Sequence, residues 1–192
     1  MAARLPSRPR VLRQDPGSLG EMLDDITRLG EAAWIEARAL ELRAELEARL
    51  AAVRAAVAGA PPPRAIALEL LDPPFVGGHW IPEMVALGGG IDVAGPAGAK
   101  SPEVGWEALA ALAPDFVVVM PCGMYAEESL AQAREQRARI EALGAERVFA
   151  VDAASTYSRP GPRLVDGTEL LAHLLHPDLL GPPGGIAFTR LD

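Results

Sequence analysis

The stretch Gly59-Ala60-Pro61-Pro62-Pro63 divides this chain into two regimes, and the second of them constrains the fold most. After it, short apolar runs alternate with amphipathic stretches. Arg64–Leu71 reads as a buried strand, and Ile81–Leu87 as a short helix ended by Gly88-Gly89-Gly90. Ile91–Val93 is a brief strand, Val104–Leu112 a helix, and Asp115–Met120 a strongly apolar strand. Tyr125–Leu143 is a helix stopped by Gly144, Arg147–Val151 a strand, and Leu164–Leu175 a helix. Apolar strands separated by helices pack as a mostly parallel sheet with helices on both faces, so the fold class is α/β. Residues 182–192 read as a loosely held tail.

The first regime is helical. Asp15-Pro16-Gly17-Ser18 is turn chemistry, and Ser18 followed by Glu21 is a capping-box signature. Leu19, Met22, Ile26, Leu29 and Ala33 form one apolar stripe; Leu42, Leu46, Leu50, Val53 and Val57 form a second. Gly30 marks the expected break. The piece from Glu31 to Ala58 would run about 40 Å at about 1.5 Å per residue, long enough to brace something larger than itself. The chain thus divides into a proline- and arginine-rich arm over 1–17, in which Val11-Leu12 reads as a strand remnant, a short helix plus a brace helix over 18–60, a strand–helix lobe over 64–181, and the tail.

Composition excludes several classes. With 192 residues, 49% of them hydrophobic, the chain can bury a real core, and disorder is excluded for most of it. A net charge of −8 argues against nucleic acid as a partner. The single cysteine excludes a disulfide framework and a cysteine-rich zinc site. No run approaches the roughly 20 apolar residues of a membrane span. The opening Met1-Ala2-Ala3-Arg4-Leu5-Pro6 lacks the apolar run of a secretory signal, which as given predicts a cytoplasmic chain.

In a parallel sheet, ligands gather at the carboxyl ends of strands. Three loops with unusual residues follow strands here: Asp72 to Trp80, Pro121 to Tyr125, and Asp152 to Pro162. Gly77-Gly78 would let a ligand approach the backbone. Trp80 offers a flat amphipathic surface, and Pro82 suits a first helical turn. Arg159, on a stiff loop, is suited to a carboxylate or phosphate. His79 is a better ligand candidate than His173 and His176, whose place near a helix C-terminus is explained by the dipole. Cys122 with His79 can be drawn as nucleophile and base, but no spacing supports that pairing. Phosphate-loop and dinucleotide fingerprints are absent.

The stretches Leu71-Asp72-Pro73-Pro74-Phe75-Val76-Gly77-Gly78-His79-Trp80-Ile81-Pro82-Glu83, Met120-Pro121-Cys122-Gly123 and Ser158-Arg159-Pro160-Gly161-Pro162-Arg163-Leu164-Val165-Asp166-Gly167 resemble the cobalamin-binding branch of the helical-backbone class of ABC-transporter solute-binding proteins. That class also holds iron–siderophore and haem receptors. In it, two Rossmann-like lobes are joined by one long helix, and ligand binds between them. The resemblance runs from about Val11 to Leu180. It implies an interlobe helix over about Ser18 to Ala58 and a Rossmann-like second lobe from about Arg64, with only a trace of the first lobe near Val11-Leu12. It further implies that Gly77, Gly78, His79, Trp80, Cys122, Gly123, Tyr157, Ser158 and Arg159 face a corrinoid-like ligand, cobalamin or a related metal chelate. Glu107 would dock on an ABC permease, as one of the two glutamates the family uses. Such a protein has no intrinsic cofactor, does no bond chemistry and works outside the cytoplasm.

One wall would bury about half of a flat ring, so weak binding is expected unless a second chain supplies the other wall. An unpaired brace helix would expose an apolar stripe and favour a homodimer. An iron–siderophore or haem binder is the alternative within the class. A ligand-free structural or interaction module is the rival outside it, and a small Cys/His enzyme the third.

Overall fold

A computed structural model describes residues 11–192. Ser18 opens the first helix, α1 (Leu19–Ala32), by accepting a hydrogen bond from the Glu21 amide. The helix does not break at Gly30. It ends in a turn through Ala33, Trp34 and Ile35, with Trp34 at φ 57°, and α2 (Glu36–Ala56) runs back along it. Gly30 stays helical because the two helices meet there: a Cβ on it would lie 2.2 Å from the Ala39 Cβ. The brace is therefore 21 residues, about 31 Å, and shorter than the unbroken pattern predicted. Gly59, at φ 82°, and the prolines after it end the helical regime.

The remaining elements are β1 (Arg64–Leu71), β2 (Pro74–Val76), α3 (Ile81–Leu87), β3 (Ile91–Asp92), α4 (Trp106–Ala111), β4 (Phe116–Val119), α5 (Ala126–Glu135), α6 (Arg137–Glu141), β5 (Arg147–Val151), α7 (Ala153–Thr156), α8 (Arg163–Leu175) and β6 (Phe188–Arg190). The sheet order is β2-β1-β4-β5-β6, with β3 also on β1. The pairs β1–β3, β1–β4 and β4–β5 are parallel, while β1–β2 and β5–β6 are antiparallel. The mostly parallel sheet with helices on both faces is thus the observed fold class.

Side-chain alternation builds the layers. Ala65, Ala67, Phe116, Val118 and Val151 pack with Leu19, Met22, Leu46, Met84 and Leu164 on one face. Ile66, Leu68, Val117, Val119 and Ala150 pack with Leu109, Ala133 and Ile140 on the other. Strands flanked on both faces have no room for polar residues, which is why β4 reads as an unbroken apolar run.

The brace is seated on its own chain. Leu46 and Leu50 enter the first cluster, and Val53 and Val57 pack against Ala172 of α8. The Arg49 guanidinium donates to Asp166 at 2.6 Å and to both Glu169 oxygens at 2.7 and 2.9 Å. The Glu83 carboxylate accepts the Leu19 amide at 2.8 Å, tying α3 to the start of α1. The expected unpaired stripe is therefore covered by the chain itself and offers no apolar face for a homodimer. The exposed large apolar side chains of this helical pair lie instead around its turn, at Leu29, Trp34, Ile35 and Leu40.

The tail is not loose throughout. β6 adds to β5 with three register pairs, and the Phe188 ring lies 6.3 Å from Phe149. At the other edge, β2 is covered by the segment after it: Val76 donates to the Pro102 carbonyl and Val104 to the Pro74 carbonyl. Residues 11–16 form no strand, so Val11-Leu12 is not a strand remnant in the structure; residues 1–10 of the arm lie outside the described residues. His173 and His176 bond the Leu180 and Gly89 carbonyls at 2.8 and 3.0 Å, structural contacts at the end of α8. Among the described residues no helix is long and apolar enough to cross a membrane.

Candidate functional site

Because β1, β4 and β5 are parallel, their carboxyl ends share one rim, and the three loops after them meet there. The Trp80 indole N–H donates to the Tyr157 carbonyl at 2.9 Å, joining the first loop to the third. The Gly123 amide donates to Ser158 Oγ at 2.8 Å, joining the second to the third. Ser158 Oγ in turn donates to the Ala153 carbonyl at 2.9 Å. The Ala154 amide donates to the Met124 carbonyl at 2.8 Å, a further link between the same two loops.

Two hollows follow from this meeting. One, of about 140 Å³, is lined by Glu69, His79, Trp80, Met120, Cys122, Tyr157 and Ser158. The other, of about 450 Å³, is lined by residues including Gly123, Tyr125, Ser155, Ser158, Arg159 and Arg163. They share Ser158.

Of the residues singled out in the sequence, His79, Trp80, Cys122, Gly123, Ser158 and Arg159 sit on these hollows. Gly77 and Gly78 do not present backbone to a ligand. Both are buried, and a Cβ would lie 2.6 Å from Ile81 Cγ2 and 2.4 Å from the Ala99 carbonyl oxygen, respectively. The close approach they permit is made by the chain itself. Tyr157 contributes its backbone, while its side chain is buried and its hydroxyl donates to the Gly167 carbonyl at 2.9 Å. Burial raises that phenol above its usual range. His79 stands at φ 50°, with its amide donating to the Ala99 carbonyl at 2.6 Å and its ring 5.6 Å from the Trp80 ring. Cys122 and Arg159 are exposed, and Arg159 pairs with no carboxylate among the described residues. Glu107 is exposed in the first turn of α4 and lines neither hollow; the Val104–Pro74 bond puts the start of α4 beside β2.

Sequence reading missed Glu69, Ser101 and Arg163. Glu69 had a signal, a lone carboxylate inside an otherwise apolar strand near its carboxyl end. Burial raises its pKa, opposed by the hydroxyl of Ser101 and by the nearby His79. Ser101 Oγ also accepts the Gly78 amide at 3.1 Å, so the carboxylate, the serine and the first loop form one chain of contacts. A raised folded-state pKa means the native state holds its proton above the unfolded value of about 4.3. Stability from this group is then present at low pH and falls as pH rises through the folded value. Glu69→Gln keeps an acceptor for Ser101 and removes the titration. Its stability relative to wild type should improve between about pH 4 and pH 7. Urea unfolding across that range checks this, and a pH-independent difference would contradict it.

Among the described residues no group of three His, Cys, Asp or Glu side chains is placed to hold a metal ion. The hollows bring the Trp80 indole and the Cys122 thiol close to the Arg159 and Arg163 guanidinium groups.

Residues 4–154 match the model of the periplasmic binding protein family. The chain belongs to that family. Its fold is similar to an ABC transporter substrate-binding protein from Listeria monocytogenes, at a TM-score of 0.73 and 20% identity over 83% of this chain. It is similar to S. aureus IsdE, solved in complex with heme, at a TM-score of 0.71 and 20% identity over 83% of this chain. It is also similar to the periplasmic vitamin B12 binding protein BtuF of Vibrio cholerae, at a TM-score of 0.64 and 23% identity over 84% of this chain. The chain spans only part of these structures, covering 65%, 65% and 62% of their respective lengths. No curated protein sequence matches it significantly.

Proposed function

We propose that this chain is a solute-binding protein of an ABC importer that holds a flat metal chelate, a corrinoid first, non-covalently against the carboxyl rim of its sheet. One observation supports this above the others: the loops after β1, β4 and β5 are bonded to one another around two contiguous hollows, in a chain of the periplasmic binding protein family. The rim joins aromatic and apolar surface at Trp80 and Met120 to polar groups at Ser158 and Arg159, the mixture that a flat ring with polar arms requires. A haem or other iron chelate is the second reading. It is favoured by His79 and Cys122, two donors for an open coordination position that line the same hollow. Glu107, exposed on α4, is the proposed contact with an arginine of the permease.

Cyanocobalamin and hemin titrations, followed by Trp fluorescence and the visible bands, test the reading. Trp80→Ala should weaken binding roughly tenfold or more, because it removes the flat wall. Trp80→Phe, which keeps a ring but loses the bond to Tyr157, should lie between. Far-UV circular dichroism verifies that both variants fold. A folded wild-type protein that binds neither chelate would replace this reading with the ligand-free module, and unchanged affinity in Trp80→Ala would remove the first loop from the site.

A further inference from the structure

We propose that Glu69 is a specificity-determining residue of the smaller hollow: its carboxyl receives the N–H groups of a carboxamide arm on the ligand and turns away a ligand that carries a carboxylate there. This rests on the receptor reading above and adds the arm chemistry of the ligand. The backbone places Glu69 for that role. In the pairing of β1 with β2, Leu68 faces Val76 and Leu70 faces Phe75, so Glu69 is the extra residue of a bulge. A bulge leaves its extra residue out of the ladder and re-aims its side chain. Here the side chain lines the hollow of about 140 Å³ with His79, Trp80, Met120, Cys122 and Ser158. Among the residues lining the two hollows, Glu69 alone carries a carboxyl.

Glu69 is fixed at both ends. Its carbonyl accepts the Cys122 amide at 3.0 Å. Its carboxylate Oε2 accepts the Ser101 hydroxyl at 2.5 Å, and Ser101 Oγ in turn accepts the Gly78 amide. The second oxygen, Oε1, takes no hydrogen bond from the described residues, yet it is not sealed from water. Asp25 is instead buried against Arg28, and Asp166 and Glu169 are held by Arg49. An ionised carboxyl only accepts hydrogen bonds, and no lysine or arginine lines this hollow to meet it. A primary amide supplies two N–H donors without a charge. A carboxylate supplies none and sets a like charge beside a carboxyl that burial already holds above its usual range. The volume agrees. A pocket for a whole small ligand measures about 300–1,000 Å³, so this hollow seats one arm while the ring lies on Trp80.

The probes are cyanocobalamin and the separated monocarboxylic acids made from it by hydrolysing one side-arm amide. Each is titrated against wild type, Glu69→Gln and Glu69→Asp, with thermal unfolding as a check on the fold. At least one acid should bind wild type roughly tenfold or more weakly than cyanocobalamin. In Glu69→Gln, which keeps a carbonyl oxygen and gains an N–H donor, that acid should bind at least as well as cyanocobalamin, while cyanocobalamin itself loses roughly two- to tenfold. A loosened site would weaken both ligands together. Glu69→Asp keeps the charge and should keep the discrimination. If wild type binds every acid as tightly as cyanocobalamin, or if Glu69→Gln discriminates as wild type does, the role of Glu69 is overturned and the receptor reading stands. If no probe binds the folded wild type, the receptor reading fails and the role of Glu69 with it.

Discussion

Gly78→Ala is expected to destabilise the protein by about 3 kcal/mol, because its methyl group would meet backbone on the far side. The added Cβ would lie 2.4 Å from the Ala99 carbonyl oxygen and 2.6 Å from the Ser101 amide nitrogen. Neither can swing away as a side-chain end does. That segment is bonded to the first loop at several points: Gly78 to Ser101 Oγ, His79 to the Ala99 carbonyl, and Gly98 to the His79 carbonyl. Pushing it back loosens His79, Trp80 and the contact of Ser101 with Glu69 together. Gly105→Ala is the control. Its Cβ would meet nothing within 4 Å, and its φ of −60° suits any residue. It should change stability by about 0.5 kcal/mol or less. Urea unfolding of both variants checks the pair. Equal midpoints would show that the Gly-Gly element is not held by packing and would return it to the ligand.

Leu46→Ala should cost about 2–5 kcal/mol, the range for emptying a buried leucine site. Leu46 is 2% exposed among Leu19, Met22 and Leu50 in the larger core cluster, so truncation leaves a cavity between α2 and its own chain. Leu40→Ala, at a position 55% exposed on the same helix, should change stability by about 0.5 kcal/mol or less. If the brace waited for an external partner, Leu46→Ala would leave unfolding of the isolated chain unchanged and alter association instead. Denaturant unfolding with light scattering separates the two outcomes.

The strand–helix alternation was legible because strong local signals coincide with element ends. Pro82 and the Gly88-Gly89-Gly90 run bound α3 at Ile81–Leu87, and β5 occupies Arg147–Val151 as its apolar run suggests. The break near Gly30 was misplaced because a helical glycine can serve a close crossing, and nothing local announces that Ala39 will lie against it. β2 and β6 escaped notice for a related reason. Each is three residues long, β2 begins with Pro74, and each exists only because a longer neighbour offers its edge. At the site, the convergence of the three loops followed from parallel topology alone. The division of labour within them did not: whether Gly77 and Gly78 face guest or chain depends on Ile81 and on residues 99–101, respectively, and Arg163 becomes a rim residue only when α8 starts beside Ser158.

The finish of the sheet's two flanks has a consequence for behaviour at high concentration. On one side the outermost strand is Phe188–Arg190, with its final two residues exposed and an arginine as the last. On the other, Pro74–Val76 has its outward polar groups engaged by residues 102–104. A foreign β-segment seeking to add itself therefore finds a ledge too short on one flank and already occupied on the other. The long apolar strands that would otherwise seed fibres are enclosed at the centre, so crowding should offer strand-by-strand addition little purchase for as long as the chain stays folded.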